Sequence, residues 1–286
     1  MSLQITTSFV QQFGSNVYIL AQQRGSRLRN AVRNETIVGE KGFFDQLGAT
    51  TAVRRTSRYA DTPLVNTPHA RRMVVPIDYD WADLVDDLDQ LKNLIDPTSP
   101  YAMNAGYAMG RAMDEALIEA FDGTAYTGKD GTTSTVFDTN MSIAHGSAGL
   151  SIAKLRDAKR LLDAQEVDPM TPRYIVTKAQ EIDDLLGTTE VTSSDYNTIK
   201  ALVKGEIDTF MGFKFLRTEL LTTASSVTSC FAWAETGMLL GVGKDASPSI
   251  DKRPDKNNAR QVYVNMSIGA TRMSEKEVVR IYTYHA

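Results

Sequence analysis

One segment of the chain carries apolar residues at spacings of three and four, the pattern of one face of an α-helix. Ser99 suits the N-cap, Pro100 the first helical position, and Gly123 the left-handed position after the last turn. These signals predict a helix over residues 100–122, about 35 Å long at about 1.5 Å per residue. Its apolar stripe consists of Met103, Gly106, Gly110, Met113, Leu117 and Phe121.

Two members of this stripe, Gly106 and Gly110, are glycines. Glycine is unfavourable inside a helix, by about 1 kcal/mol relative to alanine. Because a glycine leaves no side chain between the helix and its neighbour, we expect another backbone to approach closely at these positions.

After this helix, short helical and short strand patterns intermingle without the regular rhythm of a doubly wound sheet, which predicts an α+β fold. Ser151 is the expected N-cap of a helix that reaches about Gln165, and AQEIDDLL, closed by Gly187, predicts another. A further short helix is expected over Asp195–Lys204. The predicted strands are Arg173–Thr177, Phe213–Arg217, Val227–Trp233, Met238–Val242, Gln261–Ala270 and Lys276–Tyr284.

The first eighty residues have few apolar positions. We expect residues 1–35 to form an extended arm with too few apolar residues to fold alone. Two mostly polar strands, Thr50–Arg58 and Ala70–Tyr79, are expected to form a hairpin of about 40–60 Å. A two-stranded ribbon is marginal in water, so these segments indicate support from a partner molecule.

Composition describes an ordinary globular chain of 286 residues, 42% hydrophobic and 23% charged. No apolar run approaches the roughly 18 residues of a membrane span. The single cysteine, Cys230, excludes an intramolecular disulfide and fits a reducing compartment. Lys and Arg number 31 against 35 Asp and Glu, a net charge of −4, which argues against a protein that coats DNA electrostatically.

Charge is unevenly distributed along the chain. Residues 1–34 contain arginines and no Asp or Glu, whereas residues 78–96 carry seven aspartates against one lysine and are expected to form an acidic helix. As a hypothesis, hairpin arginines pair with aspartates of a neighbouring copy, because the planar guanidinium suits carboxylates. The residues of this hypothesis are Arg54, Arg55, Arg58, Arg71 and Arg72 on one side and Asp83, Asp86, Asp87 and Asp89 on the other.

Two stretches imitate nucleotide-binding loops, and neither survives its context. Gly123 to Lys129 has the spacing of a phosphate-binding loop, but Asp130 stands where a Ser or Thr must hold Mg²⁺. Gly241 to Ala246 matches a relaxed dinucleotide fingerprint, yet prolines follow where the helix would run, so a loop is expected there.

The remaining candidates for chemistry are equally weak. His69, His145 and His285 lack the spacing of metal ligands, and Cys230 lies in an apolar run where a buried, unreactive thiol is expected. We therefore predict no catalytic, cofactor-binding or metal residues and a protein that is not an enzyme.

The order of features resembles the major capsid proteins of tailed bacteriophages, which have the Hong Kong 97-type fold. SPYAMNAGYAMGRAMDEALIEAFDGTAYTG resembles the spine helix and the loop after it, and SIAKLRDAKRLLDAQEVDPMTPRYIVTKAQEIDDLLG resembles the helix–strand–helix that begins the axial domain. GEIDTFMGFKFLRTELL resembles the next strand, and VYVNMSIGATRMSEKEVVRIYTY the closing strands of the peripheral domain. The likeness lies in order and pattern and covers nearly the whole chain.

This resemblance implies a division of the chain and a mode of assembly. It implies an N-terminal arm (1–35), an E-loop hairpin (36–80), a peripheral domain (81–175 and 255–286) with its spine helix (100–122), and an axial domain (176–254). Copies would form hexamers and pentamers of an icosahedral shell around double-stranded DNA that is bound without sequence specificity. Arm and E-loop would lie on neighbouring copies.

The resemblance also implies partners and a location. A scaffolding protein during assembly, a portal protein and, in some members, a decoration protein are expected, with no membrane. The subunit would reside in the virion capsid, and in the host cytoplasm during assembly. Because the arm begins almost at Met1, we expect a separate scaffolding protein, and because no Lys lies between Gly42 and Leu91, we expect no isopeptide crosslink from the E-loop.

Two alternatives remain open at this stage. An encapsulin shell has the same fold and encloses cargo enzymes instead of DNA. A nucleotide-utilising enzyme built on Gly128 and Lys129 is the alternative from another class of protein.

Overall fold

A computed structural model describes residues 22–59, 61–85, 98–187 and 209–285. The long helix of the sequence prediction is α1 (Thr98–Asp122), and α2 (Ile152–Ala164) and α3 (Ala179–Gly187) are the other two helices in these ranges. The predicted start of α1 was two residues late, within the usual uncertainty of helix ends. Ser151 caps α2 as predicted, since its hydroxyl accepts a hydrogen bond from the Lys154 N–H. The helix expected over 195–204 lies outside the described residues.

The described ranges contain fifteen strands in three sheets. They are β1 (Arg33–Thr36), β2 (Gly42–Leu47), β3 (His69–Val74), β4 (Ile77–Val85), β5 (Ala125–Thr127), β6 (Thr133–Thr135), β7 (Ser142–Ile143), β8 (Arg173–Thr177), β9 (Thr209–Phe210), β10 (Phe213–Arg217), β11 (Thr223–Ala224), β12 (Val227–Ala234), β13 (Met238–Arg253), β14 (Ala259–Arg272) and β15 (Val278–Tyr284).

The first sheet has the order β1-β13-β14-β4, and α1 packs along β14. Alternate residues of β14, Val262, Val264 and Met266, are buried on the face toward the helix. The buried residues of α1 include Met109, Met113, Leu117 and Phe121. The apolar stripe read from the sequence therefore faces the core in its C-terminal half.

The second sheet has the order β7-β15-β12-β8-β10-β9, with β11 paired to β12. Its central strand β12 holds Trp233, which is fully buried and packs on Phe121 at 4.6 Å between ring centroids. This contact joins the second sheet to the end of α1. Strands β8 and β10 coincide with the predicted segments because their apolar runs are short and bounded by turn residues.

The third sheet has the order β2-β3-β5-β6 and carries the hairpin of the first eighty residues. The prediction of a strand at Thr50–Arg58 is wrong, since the strand opposite β3 is Gly42–Leu47. The second predicted strand, Ala70–Tyr79, is divided at Val75 and Pro76. Proline has no N–H for the ladder, and there the chain leaves the third sheet and enters the first as β4.

Two further expectations are corrected. The acidic segment that begins at Asp78 is the strand β4 as far as Val85, not a helix, because its aspartates alternate with Tyr79 and Trp81. The loop expected after Gly241 is a continuation of β13, with irregular register between Val242 and Ser247. Pro248 is tolerated there because β1 pairs with β13 only as far as Val242, and beyond that point no other described strand pairs with this side of β13.

Residues 22–36 lie on their own subunit, which corrects the expectation of an unsupported arm for this part of it. Leu28 is fully buried, and the Trp233 ring N–H donates to the Ala31 carbonyl oxygen at 2.8 Å. β1 continues the segment as a parallel partner of β13. The sequence underestimated this part because its few apolar residues all face the core. Residues 1–21 lie outside the described ranges.

Strand pairing crosses the division expected for the domains. β13, expected in the axial segment 176–254, pairs with β14 of the peripheral segment, and β15 of the peripheral segment pairs with β12 of the axial one. These pairings make a continuous core out of both segments.

Candidate assembly surfaces

The segment between β2 and β3 is a long exposed loop. Every described residue from Leu47 to Ala70 is exposed, and the loop closes at its base through a hydrogen bond from the Gly48 N–H to the Pro68 carbonyl oxygen at 2.8 Å. Tyr59 is 96% exposed and Leu64 95% exposed, beside the exposed Val53. We call residues 48–68 the β2–β3 loop. Large apolar side chains uncovered to this degree indicate a surface that another molecule covers.

The predicted contact arginines fall into two groups. Arg54, Arg55 and Arg58 are exposed in the β2–β3 loop. Arg71 lies at the root of the hairpin, directly opposite Asp45 of β2, and its Nε donates to Asp45 Oδ1 at 2.7 Å. This hydrogen bond lowers the pKa of the Asp45 carboxyl.

Arg72 is buried within its own chain. Its Nη2 donates to both carboxylate oxygens of Glu275, at 2.7 and 2.5 Å, and its Nε donates to the Met273 carbonyl oxygen at 3.0 Å. The Gln46 side chain donates to the same carbonyl oxygen. The hairpin root is therefore fastened to the segment between β14 and β15, and Arg72 is not placed to meet a neighbouring copy.

A second buried arginine, Arg272, connects the end of β14 to the end of α1. Arg272 has no exposed surface, and its Nη1 donates to the carbonyl oxygens of Phe121 at 2.8 Å and Gly123 at 3.0 Å, at the end of α1. A cation at the carbonyl end of a helix is favourable. Burial nonetheless lowers the pKa of Arg272. Arg280 pairs with the last residue of α1, Asp122, at 3.2 Å.

The predicted acidic partners are only partly described. Asp83 lies half-buried in β4, where its carboxylate accepts a hydrogen bond from the Leu84 N–H at 2.8 Å. Asp86, Asp87 and Asp89 lie outside the described residues. Asp78 and Asp80, which the hypothesis did not include, are exposed on β4.

Residues 23–28, which we call the root of the arm, are held by one buried carboxylate of α1. Asp114 has no exposed surface and accepts four hydrogen bonds, from the Gln23 side chain, the Ser26 hydroxyl at 2.5 Å, and the backbone N–H groups of Arg27 at 2.9 Å and Leu28 at 3.1 Å. At Gly110, one turn away, an added Cβ would lie 2.4 Å from the Gly25 carbonyl carbon. The prediction that glycines of α1 admit another backbone is confirmed at Gly110, whereas at Gly106 an added Cβ would meet no described atom within 4 Å.

Two buried charges with several partners, Asp114 and Arg272, were not predicted from the sequence. A charged residue inside an apolar stripe is the only signal that marks such positions. Asp114 follows Met113 at the boundary of the stripe, and Arg272 ends the alternating run of β14. Sequence alone does not say which backbone groups they satisfy.

The nucleotide-like loops have no phosphate-binding context. Gly128 and Lys129 lie in the turn between the antiparallel strands β5 and β6, where no helix follows. Gly241 lies within β13, so the dinucleotide-like stretch is a strand. Cys230 is fully buried, and burial raises the pKa of its thiol.

Metal binding and membrane crossing were also considered for the described residues. Within those ranges, no group of three or more His, Cys, Asp or Glu side chains is arranged to hold a metal ion. No helix in the same part of the chain is long and apolar enough to cross a membrane.

The sequence of the chain matches a known protein family over almost its whole length. A profile of the phage capsid protein family covers residues 5–284. The chain belongs to this family. As a phage capsid protein it is a structural subunit, and its place is the virion capsid. A search of curated protein sequences found no match.

Solved structures agree with this assignment. The capsid structure of cyanophage P-SCSP1u is similar with a TM-score of 0.72 and 14% identity, covering 100% of this chain and 96% of that chain. The capsid of Ralstonia phage GP4 gives a TM-score of 0.75 at 12% identity, over 98% and 96% of the two chains. The capsid of the native GTA particle gives 0.66 at 13% identity and covers 100% of both chains.

The fold predicted from the sequence is confirmed. The phage capsid protein has the α+β, Hong Kong 97-type fold that its order of elements resembles. The predicted role as the major capsid subunit of a tailed phage is confirmed by the family and the fold together, and the encapsulin alternative is not favoured.

Proposed function

We propose that this phage capsid protein builds its shell as hexamers and pentamers, with the β2–β3 loop of each copy lying on a neighbouring copy. The observation that carries the proposal is the exposure of the loop together with its apolar residues Tyr59 and Leu64. A partner surface that covers these side chains in the folded subunit would stabilise that state. The firm attachment of the hairpin root at Arg72 supports the same arrangement, since a fixed root aims the loop in one direction.

The charged part of this contact is proposed for the exposed loop arginines, Arg54, Arg55 and Arg58. Their partners would be Asp83, Asp86, Asp87 or Asp89 of a neighbour, in the strongly acidic stretch of residues 78–96. Exposed ion pairs contribute about 0–1 kcal/mol each and weaken in salt. Arg71 and Arg72 are left out of the proposal because Asp45 and Glu275 hold them within the chain.

The domain division is retained as part of the proposal. Segments 81–175 and 255–286 would form the peripheral domain, and 176–254 the axial domain through which copies meet at the centre of each hexamer or pentamer. The strands β13 and β15, which pair across this division, would make each subunit move as one body.

The other partners follow from a shell that is filled with DNA. A separate scaffolding protein, a portal protein and, on some shells, a decoration protein are proposed, with assembly in the host cytoplasm. Double-stranded DNA would be enclosed without sequence-specific contacts, in keeping with the net charge of −4. The subunit itself would have no catalytic activity.

Substitutions of exposed apolar residues in the β2–β3 loop test this proposal. Tyr59→Ser with Leu64→Ser should leave the unfolding midpoint of the subunit unchanged, because both side chains are exposed in it, and should abolish or strongly reduce closed shells in sedimentation and negative-stain images. Met170→Ser, at an apolar side chain that is 88% exposed elsewhere, is the matched control. Shell yield equal to that of the unmodified protein would refute the role of the loop.

The charge contact has its own test. Reversal of Arg54, Arg55 and Arg58 to Glu should lower shell yield most at low salt, whereas Arg160→Glu, on the exposed side of α2, should not. An equal yield for both variants at every salt concentration would remove the arginines from the contact.

A further inference from the structure

A groove with a volume of about 490 Å³ lies between the C-terminal half of α1 and the strand β12. The apolar part of its lining consists of Ile118, Leu220 and Phe231, and the acidic part consists of Glu115, Glu119 and Asp122. We call this cavity the α1–β12 groove. Ile118 and Phe231 are buried and belong to the core, so the apolar part of the groove rests on rigidly packed side chains.

The groove carries negative charge that its own subunit does not neutralise. Asp122 pairs with Arg280, whereas Glu115 and Glu119 are exposed and form no ion pair with another described residue. Burial raises the pKa of Tyr79, and the negative charges of Glu119 and Glu115 raise it further. The two glutamates therefore favour a cation from outside the subunit.

Three other grooves on the described surface have a different character. Each of them includes at least one cationic side chain in its lining, and these cations are Lys159 and Arg173 in one groove, Arg33 in the second, and Arg71 and Lys129 in the third. Among these four grooves, the α1–β12 groove is the one that combines apolar and acidic residues without a cation.

The β2–β3 loop presents the complementary pair of side chains. Arg58 and Tyr59 are adjacent in sequence and exposed, and Tyr59 is 96% exposed, so in the single subunit neither side chain occupies the groove. With about ten residues on either side of its tip, the loop reaches about 30 Å from its base at about 3.3 Å per residue. A second copy is therefore the source of the cation and of the apolar ring.

We propose that Arg58 and Tyr59 of one copy occupy the α1–β12 groove of another copy. The Tyr59 ring covers the apolar part of the groove, and the Arg58 guanidinium donates hydrogen bonds to Glu115 and Glu119. Arginine and tyrosine side chains buried together in this way commonly contribute most of the binding energy of an interface.

This inference rests on the proposed function, because it names the surface that the β2–β3 loop covers in the shell. It also divides the loop arginines. Arg58 belongs to the groove, whereas Arg54 and Arg55 remain opposite the acidic stretch that begins in β4.

A charge swap tests the pairing in the full-length protein. Glu115→Arg with Glu119→Arg should leave the unfolding midpoint of the unassembled subunit unchanged, because both side chains are exposed, and should lower shell yield several-fold at low salt. Arg58→Glu should have the same effect, and an equimolar mixture of subunits is not needed, since the triple variant restores the pairing with opposite signs.

The matched control combines Arg58→Glu with Glu40→Arg, at an exposed carboxylate outside the groove. Shell yield should recover in the triple variant and not in this control. Equal recovery in both, or recovery in neither, would overturn the assignment of Arg58 to the groove.

Disulfide trapping tests the position of the tyrosine. Tyr59→Cys with Thr222→Cys, at an exposed residue of the groove lining, should give covalently linked multimers when assembled shells are mildly oxidised. Tyr59→Cys with Met170→Cys is the control, and the native Cys230 is fully buried. A faster-migrating monomer from the unassembled subunit would show that the loop enters its own groove, which would overturn the role of the second copy.

The two levels of the account fail in different ways. Shells that bury Tyr59 but yield no more linked product than the control would overturn the groove and leave the loop contact of the proposed function in place. Shells in which Tyr59 stays exposed would overturn both.

Discussion

The buried carboxylate of Asp114 offers the sharpest test of how the arm is attached. Asp114→Ala removes the acceptor of two backbone N–H groups, those of Arg27 and Leu28, and of the side chains of Gln23 and Ser26. No backbone carbonyl takes over, since the arm root at this point is neither helix nor strand but an irregular segment with Gly25 at a φ of +74°.

The expected cost follows from the two backbone donors. A buried donor left without an acceptor costs about 1–3 kcal/mol, and the Leu28 N–H is buried whereas that of Arg27 is partly buried. We expect a loss of about 2–4 kcal/mol in the free energy of unfolding. If the root detaches instead, the burial of the Leu28 side chain is lost, a term of similar size, about 1.5–3 kcal/mol.

Urea unfolding of the unassembled subunit measures this loss, and amide hydrogen exchange at Arg27 and Leu28 shows whether it is local. Glu115→Ala is the matched control, because Glu115 is the next residue of α1 and is exposed. Its effect should lie within about 0.5 kcal/mol of zero.

Attachment of the arm through Asp114 is contradicted if Asp114→Ala and Glu115→Ala unfold at the same urea concentration and the amides of Arg27 and Leu28 exchange equally fast in both variants. That result would mean that water or another acceptor replaces the carboxylate, and that the arm is held by the packing of Leu28 alone.

Two further predictions concern α1 and the β13–β14 turn. Gly110→Ala should destabilise the subunit by about 1–3 kcal/mol in urea unfolding, despite the better helix propensity of alanine, because the new methyl group meets the Gly25 backbone; a neutral or stabilising result would contradict it. The hydrogen bond from Arg253 lowers the pKa of Asp255 to about 2, so the pairing is present above the ordinary value of 3.8 and is lost as pH falls through about 2. Arg253→Gln should return the carboxyl titration, followed by NMR, to near 3.8, and an unchanged titration would show that the pair does not form in solution.

Sequence pattern predicts those elements of this fold whose signals are local. The helix α2 begins at its predicted N-cap, Ser151, and β8 and β10 have the predicted bounds. In each case a cap or a turn residue stands directly beside an apolar run, so that no knowledge of distant partners is needed.

The strand predictions are wrong where a residue far along the chain determines whether a segment forms a strand. Thr50–Arg58 has no pairing strand among the described residues, whereas Gly42–Leu47 becomes a strand because β3 pairs with it and Phe44 packs on Ile37. β13 continues through Pro248 since, within the described ranges, β1 pairs with it only as far as Val242. Strand propensity depends on context, and here the context is the presence of a pairing strand and of side chains to pack against.

The candidate surfaces are likewise only partly encoded in local sequence. Exposure of the loop arginines follows from the polar composition around Arg54 and Arg58. The burial of Arg72 could not be read from sequence, because its partners Met273 and Glu275 lie about two hundred residues away. Arg71 thus lies nearer the surface and the next residue, Arg72, lies in the interior. The difference arises because successive side chains of a strand point to opposite faces of the sheet.

Electron cryomicroscopy of shells assembled from the purified protein tests the central claim most directly. The account predicts closed particles of hexamers and pentamers in which Tyr59 and Leu64 of each copy are buried against the adjacent subunit. Particles in which residues 48–68 fold back onto their own subunit, or a protein that stays a compact monomer at every concentration, would contradict it.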